Sequence, residues 1–211
     1  MSNAGILFIV SAPSGAGKTS LLRQLVPADD RLTMSVSHAT RAMRPGEEDG
    51  VHYHFVSVQR FEQLVAEGAF LEHARVFDNY YGTAEASVRE LLSAGRDVVL
   101  EIDWQGARQV RERFPEAESI FIAPPSIDAL RERLQGRGQD SSETVERRMA
   151  DARAELSHFG EYDYLVVNDD FDTALGELRS IVAAARLRTG VQAARFAGPL
   201  NDMLGRVSEK T

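Results

Sequence analysis

Hydrophobic residues occur along the chain in two patterns, which predict two kinds of secondary structure. Short uninterrupted apolar runs predict strands that are buried on both faces of a sheet, and they occupy residues 5–10, 98–100, 120–122 and 165–167. Apolar residues spaced along one helical face occupy residues 86–92, 106–113, 127–134 and 175–187. Because these strands and helices alternate, the predicted fold class is α/β, with a parallel sheet flanked by helices.

The first apolar run opens a unit of strand, turn and helix. A turn that contains glycines follows residues 5–10, and Leu21, Leu22 and Leu25 then lie on one helical face. Pro27 and the acidic residues after it end the predicted helix. This unit is the expected beginning of the core.

Residues 33–84 have a different texture, with short alternating stretches instead of apolar runs. Val51, Tyr53 and Phe55 alternate with histidines, a spacing typical of a strand with one buried face. A Pro-Gly turn at Pro45 and several charged loops lie beside them. We interpret this segment as a small, partly β insertion in the core.

Two later segments are less clearly patterned. Residues 131–153 are dense in Arg, Glu, Gln and Ser, with Gly136 and Gly138 near the beginning. Such a run is either a solvated helical face or an arm that carries arginines to an anionic substrate. Residues 190–211 have weak periodicity and are expected to form a frayed helix or a tail.

Composition excludes several classes of function. The 24 basic and 32 acidic residues give a net charge of −8, which argues against sequence-independent binding of nucleic acid. The absence of cysteine excludes disulfides, iron–sulfur clusters, cysteine-ligated zinc and a thiol nucleophile. No apolar run approaches the roughly 20 residues that span a bilayer, so we expect no membrane partner and a cytoplasmic location.

The turn after the first strand carries the strongest chemical signal. It matches the P-loop pattern G-x-x-x-x-G-K-[ST] at every position but the first, where Ala12 stands. Gly15 and Gly17 would let backbone N–H groups point at phosphate oxygens. Lys18 would reach the β and γ phosphates, and Thr19 would offer a hydroxyl to Mg²⁺. The following helix would direct its positive end at the same phosphates.

Other polar residues indicate a second site near the loop. Arg41 and Arg44 lie three positions apart in a turn-rich segment and suit a second anion, since a guanidinium binds phosphate through two hydrogen bonds. Two solvated surface arginines are the alternative interpretation. Glu101 and Asp103 end a predicted strand on the same face, where ligands of parallel sheets gather.

A GTPase is one interpretation of a P-loop chain, and the sequence disfavours it. The tetrapeptide that begins at Asp103 fits the D-x-x-G motif of GTPases. The second motif, N-K-x-D, is not matched, because the tetrapeptide that begins at Asn168 lacks the lysine. One four-residue match carries little weight without the other.

Several ordered motifs of the chain resemble guanylate kinases, a family of P-loop nucleoside monophosphate kinases. The likeness runs from residue 5 to about residue 187 and includes the P-loop and blocks at residues 37–46, 70–74, 79–83, 101–106, 136–138 and 167–170. The resemblance implies Mg²⁺-dependent transfer of the γ-phosphoryl group of ATP to GMP, and to dGMP. It also implies a P-loop NTPase-type core at residues 5–34, 85–133 and 159–211, a GMP-binding domain at 35–84 and a helical lid at 134–158.

The resemblance also assigns roles to individual residues. The implied ATP-binding residues are Ser11, Ala12, Pro13, Ser14, Gly15, Ala16, Gly17, Lys18, Thr19 and Asn168. The implied GMP-binding residues are Ser37, Arg41, Arg44, Tyr53, Glu72, Tyr81, Thr83 and Asp103. The implied catalytic residues are Lys18, Arg133, Arg137 and Arg148. Mg²⁺ would be held mainly through nucleotide phosphates and water, with Thr19 and the further candidate Glu101.

The chemistry of guanine agrees with the implied base site. Guanine presents N1–H and an N2 amine as donors, and Glu72 and Asp103 carry carboxylates that only accept. The hydroxyls of Ser37 and Thr83 can donate to O6 or N7. Adenine lacks the N2 amine and has an acceptor at N1, so this set of groups should reject it.

Two rival interpretations stay open beside the enzyme. A non-catalytic guanylate-kinase-like interaction domain would typically lack the intact ATP loop that Lys18 and Thr19 complete. A monophosphate kinase for another base would not need the carboxylates of Glu72 and Asp103. The expected partners are ATP and GMP or dGMP, without nucleic acid, and the oligomeric state is left open.

Overall fold

The computed structural model describes residues 5–76, 78–136 and 142–205, except for the side chains of residues 142 and 143. The strands are β1 (Leu7–Ser11), β2 (Leu32–Met34), β3 (His38–Ala39), β4 (His54–Phe55), β5 (Phe70–Val76), β6 (Asn79–Ala84), β7 (Asp97–Glu101), β8 (Glu118–Ala123) and β9 (Tyr164–Val167). The helices are α1 (Lys18–Leu25), α2 (Val58–Ala66), α3 (Glu85–Ser93), α4 (Trp104–Arg113), α5 (Ile127–Gln135), α6 (Ser142–Leu156), α7 (Phe171–Arg186), α8 (Thr189–Arg195) and α9 (Ala197–Met203). Two 3-10 turns lie at Val26–Ala28 and Phe159–Glu161.

A five-stranded parallel sheet forms the core, in the order β2-β7-β1-β8-β9. Side chains of β1 alternate between its two faces, so Phe8 packs with α1 and α7, whereas Ile9 packs with α3 and α4. All five residues of β1 are buried, because helices cover both sides of the sheet. The predicted α/β class with a parallel sheet is confirmed.

A second sheet of four short strands lies beside the core, in the order β4-β3-β6-β5. Strand β3 pairs with β4 in parallel and with β6 antiparallel, and β6 pairs antiparallel with β5. Helix α2 begins at the Ser57 cap, whose hydroxyl accepts from the backbone N–H of Arg60. This helix buries Phe61 against Phe70 of the sheet, with ring centroids 4.7 Å apart.

Two details of the predicted insertion are wrong. Residues 33 and 34 belong to β2, which pairs with β7 in the main sheet, so the segment read as the insertion begins with an edge strand of the core. The stretch around Val51, Tyr53 and Phe55 is mostly loop, and only two of its residues form β4. Helix α2 was not predicted, although Val58, Phe61, Leu64 and Val65 recur at the spacing of one helical face.

Helices α5 and α6 pack against each other through a third apolar cluster, which contains Leu130, Leu134, Val145, Met149 and Ala152. The charged residues of 131–153 surround this stripe, and Arg131 forms an ion pair with Glu146 between the two helices. The solvated face predicted for this segment is therefore one side of a helix pair with its own core.

The end of the chain is more ordered than its weak periodicity predicted. Helices α8 and α9 follow α7, and the side chain of Gln192 donates to the carbonyl of Arg186 at 2.7 Å. Residues 206–211 of the predicted tail lie outside the described part of the chain. Within the described residues, none of the helices combines the length and the apolar character needed to cross a membrane.

Candidate active site

A cleft of about 290 Å³ lies at the carboxyl ends of β1 and β7, between the two sheets and α6. This is the edge at which parallel α/β sheets bind ligands. Many of the residues predicted to be functional line it: Ala12, Pro13, Ser14, Gly15, Gly17, Lys18, Thr19, Ser37, Tyr53, Glu72, Tyr81, Glu101, Asp103 and Arg148. The structure therefore brings the P-loop and most of the predicted base site into one cavity.

The P-loop connects β1 directly to α1. Gly15 and Gly17 both have a φ of 95°, in the left-handed region that glycine adopts without strain. The buried side chain of Asn168 supports the loop from behind, since its Nδ2 donates to the carbonyl of Ala16 at 2.7 Å. A Cβ at Gly17 would stand 2.3 Å from that nitrogen. Helix α1 begins at Lys18, so its positive end faces the cleft.

Lys18 and Thr19 meet Glu101 at the end of β7. The hydroxyl of Thr19 donates to Glu101 Oε1 at 2.6 Å, and Lys18 Nζ lies 4.0 Å from the same oxygen. Lys18 Nζ also lies 3.4 Å from the carbonyl of Ile102. Register in the sheet explains the contact, because Glu101 pairs with Val10 on β1, just before the loop.

These oxygen atoms fit a magnesium ion that is held mainly by nucleotide. A hydroxyl and a carboxylate are hard oxygen ligands, and Mg²⁺ commonly takes one or two protein oxygens together with phosphates and water. Within residues 5–76, 78–136 and 142–205 there is no cluster of three or more His, Asp or Glu that could hold an ion alone. Thr19 and Glu101 are thus suited to a shared site with substrate phosphate.

Helix α6 contacts the P-loop through two side chains. Arg148 Nη2 donates to Ser14 Oγ at 2.8 Å, and the backbone N–H of Ser14 donates to Glu155 Oε2 at 3.2 Å. Burial raises the pKa of Glu155 to about 7, against the opposing attraction of Lys18. A carboxylate thus lies at the mouth of a loop whose N–H groups suit anions.

The other predicted catalytic arginines are placed differently. Arg133 of α5 is not among the residues that line the cleft, and its Nη2 donates to the carbonyl of Asn168 at 2.9 Å. Its Nη1 is buried and has no hydrogen-bond partner in the described part of the chain. Arg137 lies outside the described residues.

The predicted base-reading residues form a hydrogen-bonded chain. Thr83 Oγ1 donates to Glu72 Oε1 at 2.5 Å, and the hydroxyls of Ser37 and Thr83 lie 2.9 Å apart. Only 3% of Glu72 is exposed. Burial raises its pKa to about 7, with the charge of Asp103 acting in the same direction and the Thr83 hydrogen bond opposing both.

Helix α4 closes the other side of this chain. Asp103 caps helix α4, because its carboxylate accepts from the backbone N–H of Gly106 at 2.9 Å. Asp103 also lines the cleft. Gly106 leaves room for the buried carboxylate, because a Cβ there would stand 2.6 Å from Glu72 Oε2. The turn after β7 therefore shapes the space around Glu72.

Arg41 lies in an adjoining cavity, near two tyrosines that line the cleft. Its guanidinium carbon is 4.9 Å from the ring centroid of Tyr53, whose ring is 5.9 Å from that of Tyr81. The Glu47 carboxylate accepts two hydrogen bonds from Arg41, each 2.6 Å long. Arg44 is exposed and lines an adjoining cavity with Arg41 and Glu47. The arginine pair predicted for a second anion thus lies beside the first cavity.

Comparison with known proteins agrees with this geometry. The sequence model of the family described as Guanylate kinase matches residues 5–185. The chain belongs to the guanylate kinase family. It is 59% identical over 201 residues to a guanylate kinase of Alkalilimnicola ehrlichii, with 95% of this chain and 99% of that protein covered.

Other guanylate kinases resemble the chain in sequence and in structure. A guanylate kinase of Vibrio parahaemolyticus is 57% identical over 202 residues, which cover 95% of this chain and 98% of that protein. Among solved structures, a guanylate kinase from Anaplasma phagocytophilum superposes with a TM-score of 0.76 and 32% identity, and 98% of each chain is covered.

Three residues of the site carried no separate role in the sequence. Glu47 stood within the arginine motif, Gly106 within the block that follows β7, and Glu155 near the end of a charged run. Glu47 lies 6 positions from its partner Arg41. Gly106 lies 34 positions from Glu72, and Glu155 lies 141 positions from Ser14. Only the arginine motif offered a local signal, since Glu47 lies close to two arginines.

Proposed function

We propose that this chain is a guanylate kinase, a nucleoside monophosphate kinase that transfers the γ-phosphoryl group of ATP to GMP and forms ADP and GDP. One observation carries the proposal: the cavity lined by the P-loop is also lined by Ser37 and Glu72, which hydrogen bonds join through the buried Thr83. The family to which the chain belongs supports it. We include dGMP as a second acceptor, because no ribose contact is assigned.

The P-loop binds the ATP phosphates in this proposal. Backbone N–H groups around Gly15 and Gly17 face the phosphate oxygens, and Lys18 neutralises their charge. The remaining ATP-binding residues are Ser11, Ala12, Pro13, Ser14, Ala16 and Thr19. Asn168 contributes through the support that it gives to Ala16.

Magnesium would be held by Thr19 and Glu101 together with the phosphates. When bound, the ion supplies positive charge to the phosphate oxygens. The 2.6 Å bond between the Thr19 hydroxyl and Glu101 keeps both oxygens at the loop, where a hydrated ion could share them. Lys18 adds a fixed positive charge from the same helix terminus.

GMP occupies the other part of the cleft. Its phosphate is bound by Arg41 and Arg44, with hydroxyls from Tyr53 and Tyr81. Its base is read by the remaining set, which comprises Ser37, Glu72, Thr83 and Asp103. The carboxylate form of Glu72 accepts from guanine N1–H and N2–H. The O–H groups of Ser37 and Thr83, which are bonded within the chain to Glu72, turn to donate to O6 or N7 when GMP binds.

Phosphoryl transfer at this site requires no general base. The acceptor is a phosphate oxygen whose second pKa is about 6, so it is already ionised at neutral pH. The protein therefore acts by positioning the two substrates and neutralising the charge that spreads in the transition state. Lys18, Arg133, Arg137 and Arg148 are the proposed sources of that charge.

The remaining parts of the chain have proposed roles in holding the substrates. Residues 35–84 form the GMP-binding domain, and residues 134–158 form a lid that excludes water as a competing acceptor. The core comprises residues 5–34, 85–133 and 159–211. Arg148 and Glu155 support this assignment, because both connect α6 to Ser14. A cytoplasmic location is part of the proposal.

An acceptor panel tests the proposed reaction. ADP formation from Mg²⁺-ATP is measured with GMP, dGMP, AMP, UMP and no acceptor. We expect fast turnover with GMP and dGMP alone. Turnover with AMP or UMP would retain the kinase and overturn the guanine site. Nucleotide binding without turnover on any acceptor would favour the interaction domain.

Substitution of Gly106 by Ala should weaken GMP binding while helix α4 gains propensity. The new Cβ would displace Glu72 Oε2, which lies 2.6 Å from its position, whereas alanine favours a helix by about 0.5–1 kcal/mol. We expect the KM for GMP to rise on the order of tenfold, measured beside thermal unfolding. Gly176→Ala in α7 is the matched control, since beyond its neighbours and its own helix backbone nothing lies within 4 Å of the added Cβ. An unchanged KM for GMP in Gly106→Ala would contradict the role of Gly106.

A further inference from the structure

We propose that Glu47 is a positioning residue, which holds the Arg41 guanidinium so that one edge of it stays available for the phosphate of GMP. The inference rests on the proposed function, since it concerns the same phosphate subsite. Glu47 carries a negative charge beside a subsite that binds an anion, so its position relative to Arg41 decides whether it helps or hinders binding.

The Arg41 guanidinium is held on two of its sides. Its Nη1 donates to Glu47 Oε2 at 2.6 Å and to the carbonyl of Ala42 at 3.0 Å. Its Nη2 donates to Glu47 Oε1 at 2.6 Å. Glu47 therefore accepts from the terminal fork of the guanidinium, the pairing that charge-assisted bonds favour.

One edge of the Arg41 guanidinium keeps two N–H donors without a partner in the described residues. A guanidinium has five N–H groups, and both on Nη1 and one on Nη2 have the partners just named. The two that remain, Nε–H and the second Nη2–H, point in the same direction along one edge. Neither has a partner within the part of the chain that the structure describes. Two parallel donors on one edge fit a phosphate bidentately.

Glu47 is itself held in place by the loop. The backbone N–H of Arg44 donates to Glu47 Oε2 at 2.8 Å, and the backbone N–H of Glu47 donates to the carbonyl of Arg44 at 3.0 Å. The side chains of Arg41 and Glu47 are 11% and 17% exposed. A carboxylate anchored by the backbone in a largely buried pair is not easily displaced by an incoming phosphate.

Two aromatic rings lie beside the guanidinium. Its central carbon lies 4.9 Å from the ring centroid of Tyr53 and 5.4 Å from that of Phe55. The hydrogen bond to Arg41 lowers the pKa of Glu47 to about 2, so the pair stays charged at neutral pH. The carboxylate sets the direction of the fork, and the two rings pack beside the guanidinium.

The alternative is that Glu47 competes with the phosphate for Arg41. The two mechanisms predict opposite results for Glu47→Gln, which keeps the shape and removes the charge. A competing carboxylate would make the variant bind GMP more tightly. A positioning carboxylate would make it bind GMP more weakly, because the neutral amide holds the fork less firmly and can turn a donor toward it.

The experiment measures the dissociation constants of GMP and guanosine for the whole protein by calorimetry, with turnover measured beside them. We expect Glu47→Gln to weaken GMP on the order of tenfold, and to leave guanosine and the KM for ATP within about twofold, since only the phosphate is bound by Arg41. Glu48→Gln is the matched control, an exposed neighbour on the same loop. In it, all three values should stay as in the parent.

A double-mutant cycle with Arg41→Ala separates positioning from loop folding. We expect Glu47→Gln to have less than a twofold further effect once Arg41 is absent. An equal loss in both backgrounds, a parallel loss of guanosine, or tighter GMP binding would overturn the proposal. If the parent binds no GMP, the proposed function fails as well. If the parent phosphorylates GMP normally and the cycle is additive, the positioning role alone fails.

Discussion

Replacing Lys18 with Ala is expected to lower turnover on the order of a thousandfold, with GMP as acceptor. Lys18 Nζ lies at the N-terminus of α1, near Glu101 Oε1 and the carbonyl of Ile102. It is the cation of the P-loop, and loss of its charge leaves the γ phosphate without a fixed partner during transfer. The measurement is kcat under saturating ATP and GMP.

A control on the same protein separates this effect from a general loss of charge. Arg179 is an exposed residue of α7, and Arg179→Ala should keep kcat within about twofold, since surface substitutions usually have small effects. Thermal unfolding of Lys18→Ala should remain cooperative. Turnover of Lys18→Ala within tenfold of the parent would remove the P-loop from the mechanism.

The second large effect is expected from Glu72→Gln, which should lower kcat/KM for GMP on the order of a thousandfold and reduce discrimination against AMP. The carboxylate accepts from two guanine donors, whereas the amide can place an N–H against N1–H. Thr83 and Ser37 remain in the variant, so the pocket keeps its hydroxyls. The measurement is kcat/KM for GMP and AMP.

The same variant should be more stable than the parent at neutral pH, in contrast to its loss of activity. The pKa of Glu72 is 4.5 without burial and about 7 in the fold. Because the folded chain binds more protons between these values, the free energy of unfolding falls as pH rises from about 4.5 to 7. Glu72→Gln lacks this contribution and should gain about 1–3 kcal/mol relative to the parent across that window.

Glu155 also makes the free energy of unfolding fall as pH rises, since burial raises its pKa to about 7. The difference between parent and Glu72→Gln, measured by denaturant unfolding at several pH values, therefore isolates Glu72. Glu90→Gln on the exposed side of α3 is the control. A variant that keeps the parent's selectivity would contradict guanine recognition by Glu72, and an equal dependence on pH would contradict its raised pKa.

Strands and helices could be predicted from the sequence where the hydrophobic pattern within one element is enough to identify it. The run that became β1 is apolar throughout because both of its faces are covered. Strand β2 has three residues, with Thr33 between two apolar ones, and its place beside β7 depends on pairing that no local pattern contains. Helix α2 does carry a local signal, since Val58, Phe61 and Leu64 recur at helical spacing, and it was missed because the whole segment was interpreted as partly β.

The site residues also fall into two groups, those recognisable from a local motif and those placed by contacts between distant strands. The P-loop lies within one short stretch, so its glycines and Lys18 could be recognised together. The contact of Thr83 with Glu72 joins two strands, β6 and β5, and its geometry comes from their register. Residue motifs indicated that Glu72 belongs to the base site, whereas its burial and the space left by Gly106 required coordinates.

The most direct test of the central claim follows the transferred phosphoryl group itself. The protein is incubated with Mg²⁺ and ATP labelled at the γ phosphate, with and without GMP, and the labelled products are separated. We predict that the label passes to GDP when GMP is present, and that little inorganic phosphate forms when GMP is absent. Label that appears only in inorganic phosphate, at a rate independent of GMP, would contradict a guanylate kinase and indicate an ATPase.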